Sequence, residues 1–227
     1  MDDPRRAWLT DRRAAVMAAY DAEAATYDDE ADYPVPLQPS FVRRLVELTP
    51  PGGILLDAPC GTGRYFPLIT DAGRRVVGID QSAGMLAQAQ ARGLAVATSQ
   101  VALQDMTFDR AFDAAMTIDA MENVPPEDWP LVVANLRRAV RPGGHWYLTV
   151  EEADDVEIDH ALDEARANGW PAVRGEVVVG DTAGYHFYPG RERVIHWLTE
   201  AGLTIVEEAE DQQDGWGYRH LLVRTSG

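Results

Sequence analysis

Cysteine is almost absent from this sequence, which has a single one, Cys60, in 227 residues. One cysteine excludes an internal disulfide framework and a zinc site built from several cysteines. Basic residues are also scarce, because Lys and Arg together number 20 against 37 Asp and Glu and leave a formal net charge of -17. Such a surface repels phosphate backbones and anionic lipids. We therefore expect no nucleic acid and no membrane among the partners of this protein.

Long apolar runs and internal repeats are missing as well. No stretch approaches the roughly 18 apolar residues that span a bilayer, and residues 1–6 lack the layout of a signal peptide. With 46% hydrophobic and 25% charged residues, the composition is that of a globular protein. The sequence thus predicts one acidic, cytoplasmic domain over residues 1–227, a length typical of one domain, that works as a monomer or a homodimer.

Short apolar runs alternate with amphipathic stretches from residue 54 onward. The predicted strands are 54–58, 75–80, 94–98, 111–118 and 145–150, with a shorter apolar run at 101–106, and the predicted helices are 64–72, 82–92 and 129–140. This alternation with short links predicts a parallel sheet covered by helices on both faces. Right-handed crossovers then bring the carboxyl ends of the strands to one edge of the sheet, where ligands bind.

The first fifty residues precede this core. Residues 11–25 have apolar side chains at helical spacing, and residues 27–39 carry acids and prolines that predict a loop. Ser40 is expected to cap a short helix that ends at Pro50.

The last part of the chain has a different pattern. Residues 175–188 predict a hairpin with its turn near residues 180–181, inserted in a substrate-side segment at 151–190. A helix at 191–201 is followed by two strands, 203–208 and 218–224, with an acidic loop over residues 211–215 between them.

The loop after the first strand carries the clearest chemical pattern. Gly61 and Gly63 permit positive φ angles and let a ligand approach bare backbone, and the following helix start offers free N–H groups. Asp80 ends the second strand, close to the spacing at which an acid binds the ribose hydroxyls of a nucleotide cofactor. Phe66 stands where a dinucleotide fingerprint has its third glycine, which weakens a pyrophosphate interpretation. The alternative without a ligand is that the two glycines form a tight turn and that Asp80 is a helix cap.

Five segments together resemble the class I S-adenosylmethionine-dependent methyltransferases. They lie in register at residues 56–63, 77–82, 104–106, 112–124 and 136–144. The resemblance implies an α/β fold with a doubly wound, seven-stranded, mostly parallel Rossmann-like sheet whose last strand is antiparallel. It also implies an N-terminal helical lid over residues 1–50, a cofactor-binding core at 50–150, and a final helix with two strands at 191–227. Pro59 and Asn123 depart from the family pattern, in which a glycine and a histidine are frequent.

The same resemblance implies a cofactor site for S-adenosylmethionine. Asp80 would bind the ribose hydroxyls, Asp105 would accept from the adenine amino group, Asp119 would lie beside the sulfonium, and Tyr27 would belong to the lid. The full set of implied cofactor residues is Tyr27, Asp57, Pro59, Gly61, Thr62, Gly63, Asp80, Gln81, Met85, Asp105, Met106, Ile118 and Asp119. Tyr20, on the apolar face of its helix, is expected to pack in the core.

Acid–base groups are sought on the ligand edge of the sheet. Glu151 follows the fifth strand, and His186 lies in the aromatic run of the hairpin, so this pair is the predicted catalytic set. The alternative for Glu151 is a solvated acidic turn, and the alternative for His186 is a structural histidine. Predicted substrate-binding residues are Glu122, Tyr185, Tyr188 and His220. The scattered histidines show no metal-ligand spacing, so no metal is expected.

These observations predict an S-adenosylmethionine-dependent methyltransferase that acts on oxygen or nitrogen of a small-molecule acceptor. In-line methyl transfer needs mainly positioning and a dry pocket, with a base only when the acceptor arrives protonated. Two alternatives remain open: a nicotinamide-dependent oxidoreductase, and a regulatory protein that binds the cofactor without catalysis.

Overall fold

A seven-stranded sheet forms the centre of the protein. The computed structural model describes residues 3–30, 37–179, 184–213 and 216–226. The strands of the sheet are β1 (Ile54–Asp57), β2 (Arg75–Asp80), β3 (Ala97–Gln100), β4 (Phe112–Thr117), β5 (Val140–Ala153), β8 (Leu203–Gln213) and β9 (Trp216–Thr225). Their order is β3-β2-β1-β4-β5-β9-β8, and β9 runs antiparallel to both of its neighbours. The predicted mostly parallel sheet with an antiparallel last strand is confirmed.

Helices cover both faces of this sheet. They are α1 (Pro4–Glu23), α2 (Tyr27–Glu30), α3 (Leu37–Leu48), α4 (Phe66–Thr70), α5 (Ala83–Ala91), α6 (Trp129–Ala139), α7 (Asp155–Ala167) and α8 (Arg191–Glu200). Because successive strand residues face opposite sides, Leu55 packs in one apolar cluster with Phe66, and Leu56 packs in the other with Trp129. The described helices include none long and apolar enough to cross a membrane.

Several boundaries differ from those predicted at the start of the chain. α1 begins at Pro4, capped by Asp3, instead of at residue 11. Ser40 lies inside α3, where its hydroxyl donates to the Leu37 carbonyl, so it is not the cap of that helix. Of the predicted loop at 27–39, residues 27–30 are helical and residues 31–36 lie outside the described part. α4 is shorter than predicted, and β3 comes later than predicted. In the apolar run at 101–106, residues 103–105 form a 3-10 turn.

The closing strands are longer than predicted because backbone pairing continues into the acidic segment. Asp211 pairs with Tyr218 and Gln213 with Trp216, so the predicted loop over residues 211–215 is in part a strand. Residues 214–215 lie outside the described part. β5 also begins earlier than the predicted strand at 145–150 and runs through residues 141–144, where its pairing with β4 shifts register.

The predicted hairpin forms a separate two-stranded sheet of β6 (Glu176–Val179) and β7 (Gly184–Phe187), and its predicted turn lies outside the described residues. The two ends of α1 form hydrogen bonds with this hairpin and with the start of α5. At one end, Arg5 donates to the buried Glu176 carboxylate at 2.9 Å. At the other end, Asp21 accepts from the Gly84 N–H at 2.9 Å. α1 and the hairpin therefore flank the ligand edge of the sheet.

Candidate active site

A cleft lies at the carboxyl ends of β1, β2 and β4. It encloses about 1050 Å³, counting the open solvent at its mouth. Its wall is formed by Arg13, Val16, Tyr20, Tyr27, Asp57, Pro59, Cys60, Gly61, Thr62, Arg64, Tyr65, Asp80, Gln81, Met85, Val101, Ala102, Leu103, Gln104, Ile118, Asp119, Ala120, Asn123 and Val124. This is the edge at which ligands of open α/β sheets bind.

The glycine loop between β1 and α4 forms the floor of the cleft. Gly61 and Gly63 have φ angles of +50° and +75°, as their predicted role requires. A Cβ at Gly63 would come 2.7 Å from the Phe66 ring, whereas a Cβ at Gly61 would meet nothing within 4 Å. The loop is thus packed beneath Gly63 and open at Gly61.

Two aspartates stand at the strand ends above this loop. Asp80 accepts hydrogen bonds from the Gly61 and Ser82 N–H groups at 2.9 and 2.8 Å, which fixes its carboxylate at the cleft. Burial raises the pKa of Asp80 despite these bonds. Burial, with the nearby Asp80 charge, also raises the pKa of Asp57 well above its usual value. Both groups would gain from a hydrogen-bond donor or a positive charge in the cleft.

A lid of α1 and α2 residues covers the loop. The Thr62 hydroxyl donates to Asp28 at 2.8 Å, and the Arg64 guanidinium lies 5.6 Å from the centre of the Tyr27 ring. Arg64 Nη2 is buried with no hydrogen-bond acceptor among the described residues. Arg13, which pairs with Asp128, lines the cleft from α1. Sequence reasoning missed both arginines, although Arg64 directly follows the glycine loop.

Asp119 marks the inner end of the cleft, just after β4. It has a φ of +48°, its N–H donates to Thr149 Oγ1 at 2.9 Å, and its Oδ1 accepts from Gln38 Nε2 at 2.7 Å. Tyr218 also hydrogen-bonds to it. Burial raises the pKa of Asp119 to about 6, and the charge of Glu151 adds to this.

Two further acids lie beside Asp119. Glu151 Oε2 is 2.7 Å from His186 Nδ1, and Glu151 Oε1 accepts from Trp216 Nε1 at 2.7 Å. Glu122 is 4% exposed, and its Oε2 has no hydrogen-bond partner among the described residues. Burial and the charges of Glu151 and Asp119 raise the pKa of Glu122 well above its usual value. The inner end of the site is therefore strongly acidic.

Comparisons with known proteins agree with this geometry. Residues 55–144 match the family model described as a methyltransferase domain. The fold superposes on a Burkholderia thailandensis 1,6-didemethyltoxoflavin-N1-methyltransferase with a TM-score of 0.67 at 16% identity, covering 100% of this chain and 92% of that one. Residues 55–144 thus carry a methyltransferase domain, and the fold is that of the S-adenosylmethionine-dependent methyltransferases.

Curated relatives of this chain differ in the acceptors that their names give. A malonyl-[acyl-carrier protein] O-methyltransferase from Serratia marcescens is 35% identical over 139 residues, which cover 60% of this chain and 52% of the relative. A cypemycin N-terminal methyltransferase from a Streptomyces species is 30% identical over 132 residues, covering 56% and 53%. The chain thus spans about half the length of these relatives, one of which is named for methylation of oxygen and the other for methylation of an N-terminus.

The cleft contains most of the implied cofactor residues. Those that line it are Tyr27, Asp57, Pro59, Gly61, Thr62, Asp80, Gln81, Met85, Ile118 and Asp119. Asp105 and Met106 do not line it, because the 3-10 turn at Leu103–Asp105 leaves Asp105 exposed and Met106 buried in the core. Leu103 and Gln104 take their places. Gly63 lies beneath the surface of the cleft.

The substrate-side residues separate into two groups because side chains alternate along β7. His186 faces Glu151, and Tyr188 lies near it, with ring centres 6.3 Å apart. Tyr185 points the other way, packs edge-on to Trp8 and donates to Glu176, so its predicted substrate contact is corrected to a core role.

Two other aromatic residues were also the subject of predictions. His220 is fully buried, stacks on Phe41 and has its Nδ1 2.8 Å from the Tyr147 hydroxyl, so it is a core residue instead of a substrate contact. Tyr20 packs against the apolar core, as predicted, and it also lines the cleft, which was not predicted. Its position near the C-terminal end of α1, beside Tyr27, brings it to the cleft.

Proposed function

We propose that this protein transfers the methyl group of S-adenosylmethionine to a small-molecule acceptor. The observation that carries the proposal is Asp80, which is held at the end of β2 by the Gly61 and Ser82 N–H groups inside the cleft. A fixed carboxylate beside an open glycine loop suits the two ribose hydroxyls of a nucleoside cofactor.

The residues of the cleft fit the chemistry of this cofactor. Gly61 leaves open space where its Cβ would stand, and Arg64 Nη2, buried without an acceptor, suits the cofactor carboxylate. Leu103 and Gln104 offer an apolar and an amide contact for the adenine, and Met85 adds a second apolar contact. Asp57 would hold the amino group of the methionyl part. When bound, the cofactor supplies an activated methyl group on a cationic sulfur.

The protein itself would position the acceptor, exclude water and remove a proton. Tyr20 and Tyr27 pack edge to face, with ring centres 6.1 Å apart, and cover the cleft. We propose His186 as the group that accepts the proton. Glu151 would orient the His186 ring, and Trp216 would orient Glu151. These groups belong to one chain, so a monomer or a homodimer would both suffice.

A crosslinking experiment tests the proposal without requiring the acceptor. Ultraviolet light should attach S-adenosylmethionine, radiolabelled in its methyl group, to the wild-type protein. Excess S-adenosylhomocysteine should abolish the label, while equal NAD should leave it in place. Competition by NAD but not by S-adenosylhomocysteine would contradict the proposal and favour the oxidoreductase alternative.

A further inference from the structure

The carboxylate of Glu122 lies just behind the inner wall of the cleft. Its Oε1 accepts from Asn123 Nδ2 at 3.3 Å, and the same amide lies 3.5 Å from the Tyr20 hydroxyl. Asn123 and Tyr20 both line the cleft, as does Ala120. Glu122 is therefore in direct contact with a residue of the cleft wall, although it is 4% exposed.

The second oxygen of Glu122 lacks a partner. Oε2 is buried and accepts no hydrogen bond among the described residues. The charges that act on Glu122 come from Glu151 and Asp119, and both are acids. A buried carboxyl oxygen without a donor loses the hydrogen bonds that water would give it, which is costly. Such an atom beside a binding cleft indicates a missing hydrogen-bond donor.

Glu122 and its two acidic neighbours come from three separate segments. Asp119 follows β4, Glu122 lies in the 3-10 turn Met121–Asn123, and Glu151 lies in β5. Opposite them, β7 packs against the 3-10 turn and brings His186 to Glu151. In the part of the chain that the structure describes, no group of three such side chains could hold a metal ion. A donor that also carries a positive charge would suit an oxygen with two acids as its charged neighbours.

We propose that the acceptor is a small primary or secondary amine that enters as its ammonium ion and donates to Glu122 Oε2. This inference rests on the proposed methyl transfer and specifies its acceptor. An ammonium offers both the donor and the positive charge that this acidic pocket lacks. A carboxylate acceptor would face three acids, and an alcohol would supply the donor without the charge.

The proton must leave before the methyl group arrives, because an ammonium has no free electron pair. His186 accepts this proton from the ammonium and becomes positively charged beside Glu151, and the amine nitrogen regains its electron pair. The nitrogen then forms a bond to the methyl carbon while the carbon–sulfur bond breaks and leaves its electron pair on sulfur. The product is a methylammonium, and His186 returns its proton to water. One proton is released in each cycle.

A binding experiment with three probes of similar size tests the charge preference. Benzylamine, benzyl alcohol and benzoate are titrated calorimetrically into the wild-type protein, with and without saturating S-adenosylhomocysteine. Benzylamine should bind at least about tenfold more tightly than the other two, as expected for a charge-assisted hydrogen bond. Equal or weaker binding of benzylamine would overturn the amine proposal.

Variants then assign the preference to Glu122. Glu122→Gln should weaken benzylamine binding at least about tenfold and leave benzyl alcohol within about twofold. Glu164→Gln, on the exposed face of α7, is the matched control and should change neither. Unchanged benzylamine binding in a folded Glu122→Gln protein would overturn the role of Glu122, and the wild-type titrations remain decisive if that variant does not fold.

The failure of this inference is distinguishable from the failure of the proposed function. Absence of S-adenosylhomocysteine binding contradicts methyl transfer, and the titrations without it still decide whether the pocket prefers an amine. Binding of S-adenosylhomocysteine with no preference for benzylamine contradicts only the amine acceptor.

Discussion

His186 Nδ1 lies 2.7 Å from Glu151 Oε2, which joins the hairpin to the fifth strand of the sheet. Trp216 Nε1 donates to the other oxygen of Glu151 at 2.7 Å, which holds that side of the carboxylate. The His186 side chain is 30% exposed, whereas that of Glu151 is 2% exposed. The His186 ring is thus partly accessible and in contact with a buried acid, although neither side chain lines the cleft itself.

This pair leads to a kinetic prediction. His186→Ala should lower turnover at least about a hundredfold with an acceptor that must lose a proton, because general-base catalysis contributes about 10²–10⁴ in rate. Affinity for S-adenosylhomocysteine should stay within a few-fold of wild type. Turnover is measured at saturating cofactor, and His160→Ala, on the exposed part of α7, serves as the control. If turnover falls only a few-fold, His186 lines the acceptor pocket without accepting the proton.

The two loop glycines give a prediction about stability. Gly63→Ala should destabilise the protein by about 3 kcal/mol or more, because its Cβ would lie 2.7 Å from the Phe66 ring in addition to the strain of positive φ. Gly61→Ala has the same φ strain but no close neighbour, so it should cost about 1 kcal/mol. Urea unfolding of both variants checks this order, and equal losses would show that the packing of Phe66 gives way.

Asp119 gives a prediction about pH. Its pKa is raised from 3.8 to about 6 in the folded protein, so the folded state binds more protons than the unfolded state in this range. Ionisation of Asp119 therefore lowers stability progressively as pH rises from about 4 to 6, by up to about 3 kcal/mol. Asn tolerates the positive φ and keeps an acceptor for Gln38.

Asp119→Asn should consequently raise the thermal midpoint more at pH 8 than at pH 5, where part of the folded-state Asp119 is already neutral. The difference between the two gains corresponds to about 1 kcal/mol. Asp109→Asn, at an exposed position, is the control and should show no such dependence. An equal gain at both pH values would contradict the role of ionisation.

Local patterns were sufficient to predict the sheet and the floor of the cleft. The alternation of apolar runs places β1, β2 and β4 correctly, and the loop with Gly61 and Asp80 follows from turn chemistry that a few adjacent residues determine. The proximity of His186 to Glu151 was also predicted, since a hairpin inserted after β5 has to fold back over that edge.

The missed residues depend on packing between distant segments. Tyr20 reaches the cleft as well as the core because of the way α1 crosses the sheet. The apolar spacing within α1 does not specify that crossing. His220 is enclosed because Phe41 of α3 stacks on it. Leu103 and Gln104 line the cleft in place of Asp105 and Met106 because a single 3-10 turn changes which side chains of the segment point to the cleft. Each of these outcomes depends on a tertiary contact that no local pattern contains.

Asp80 is expected to help hold S-adenosylmethionine in this cleft, and calorimetric titration with S-adenosylhomocysteine measures its contribution. The wild-type protein and the exposed control Asp109→Ala should bind it with equal affinity and show no binding of NAD. Asp80→Ala should bind it at least about tenfold more weakly, because hydrogen bonds to a charged group contribute about 1.5–3 kcal/mol each. Unchanged affinity in a folded Asp80→Ala protein, or binding of NAD in place of S-adenosylhomocysteine, would contradict the account.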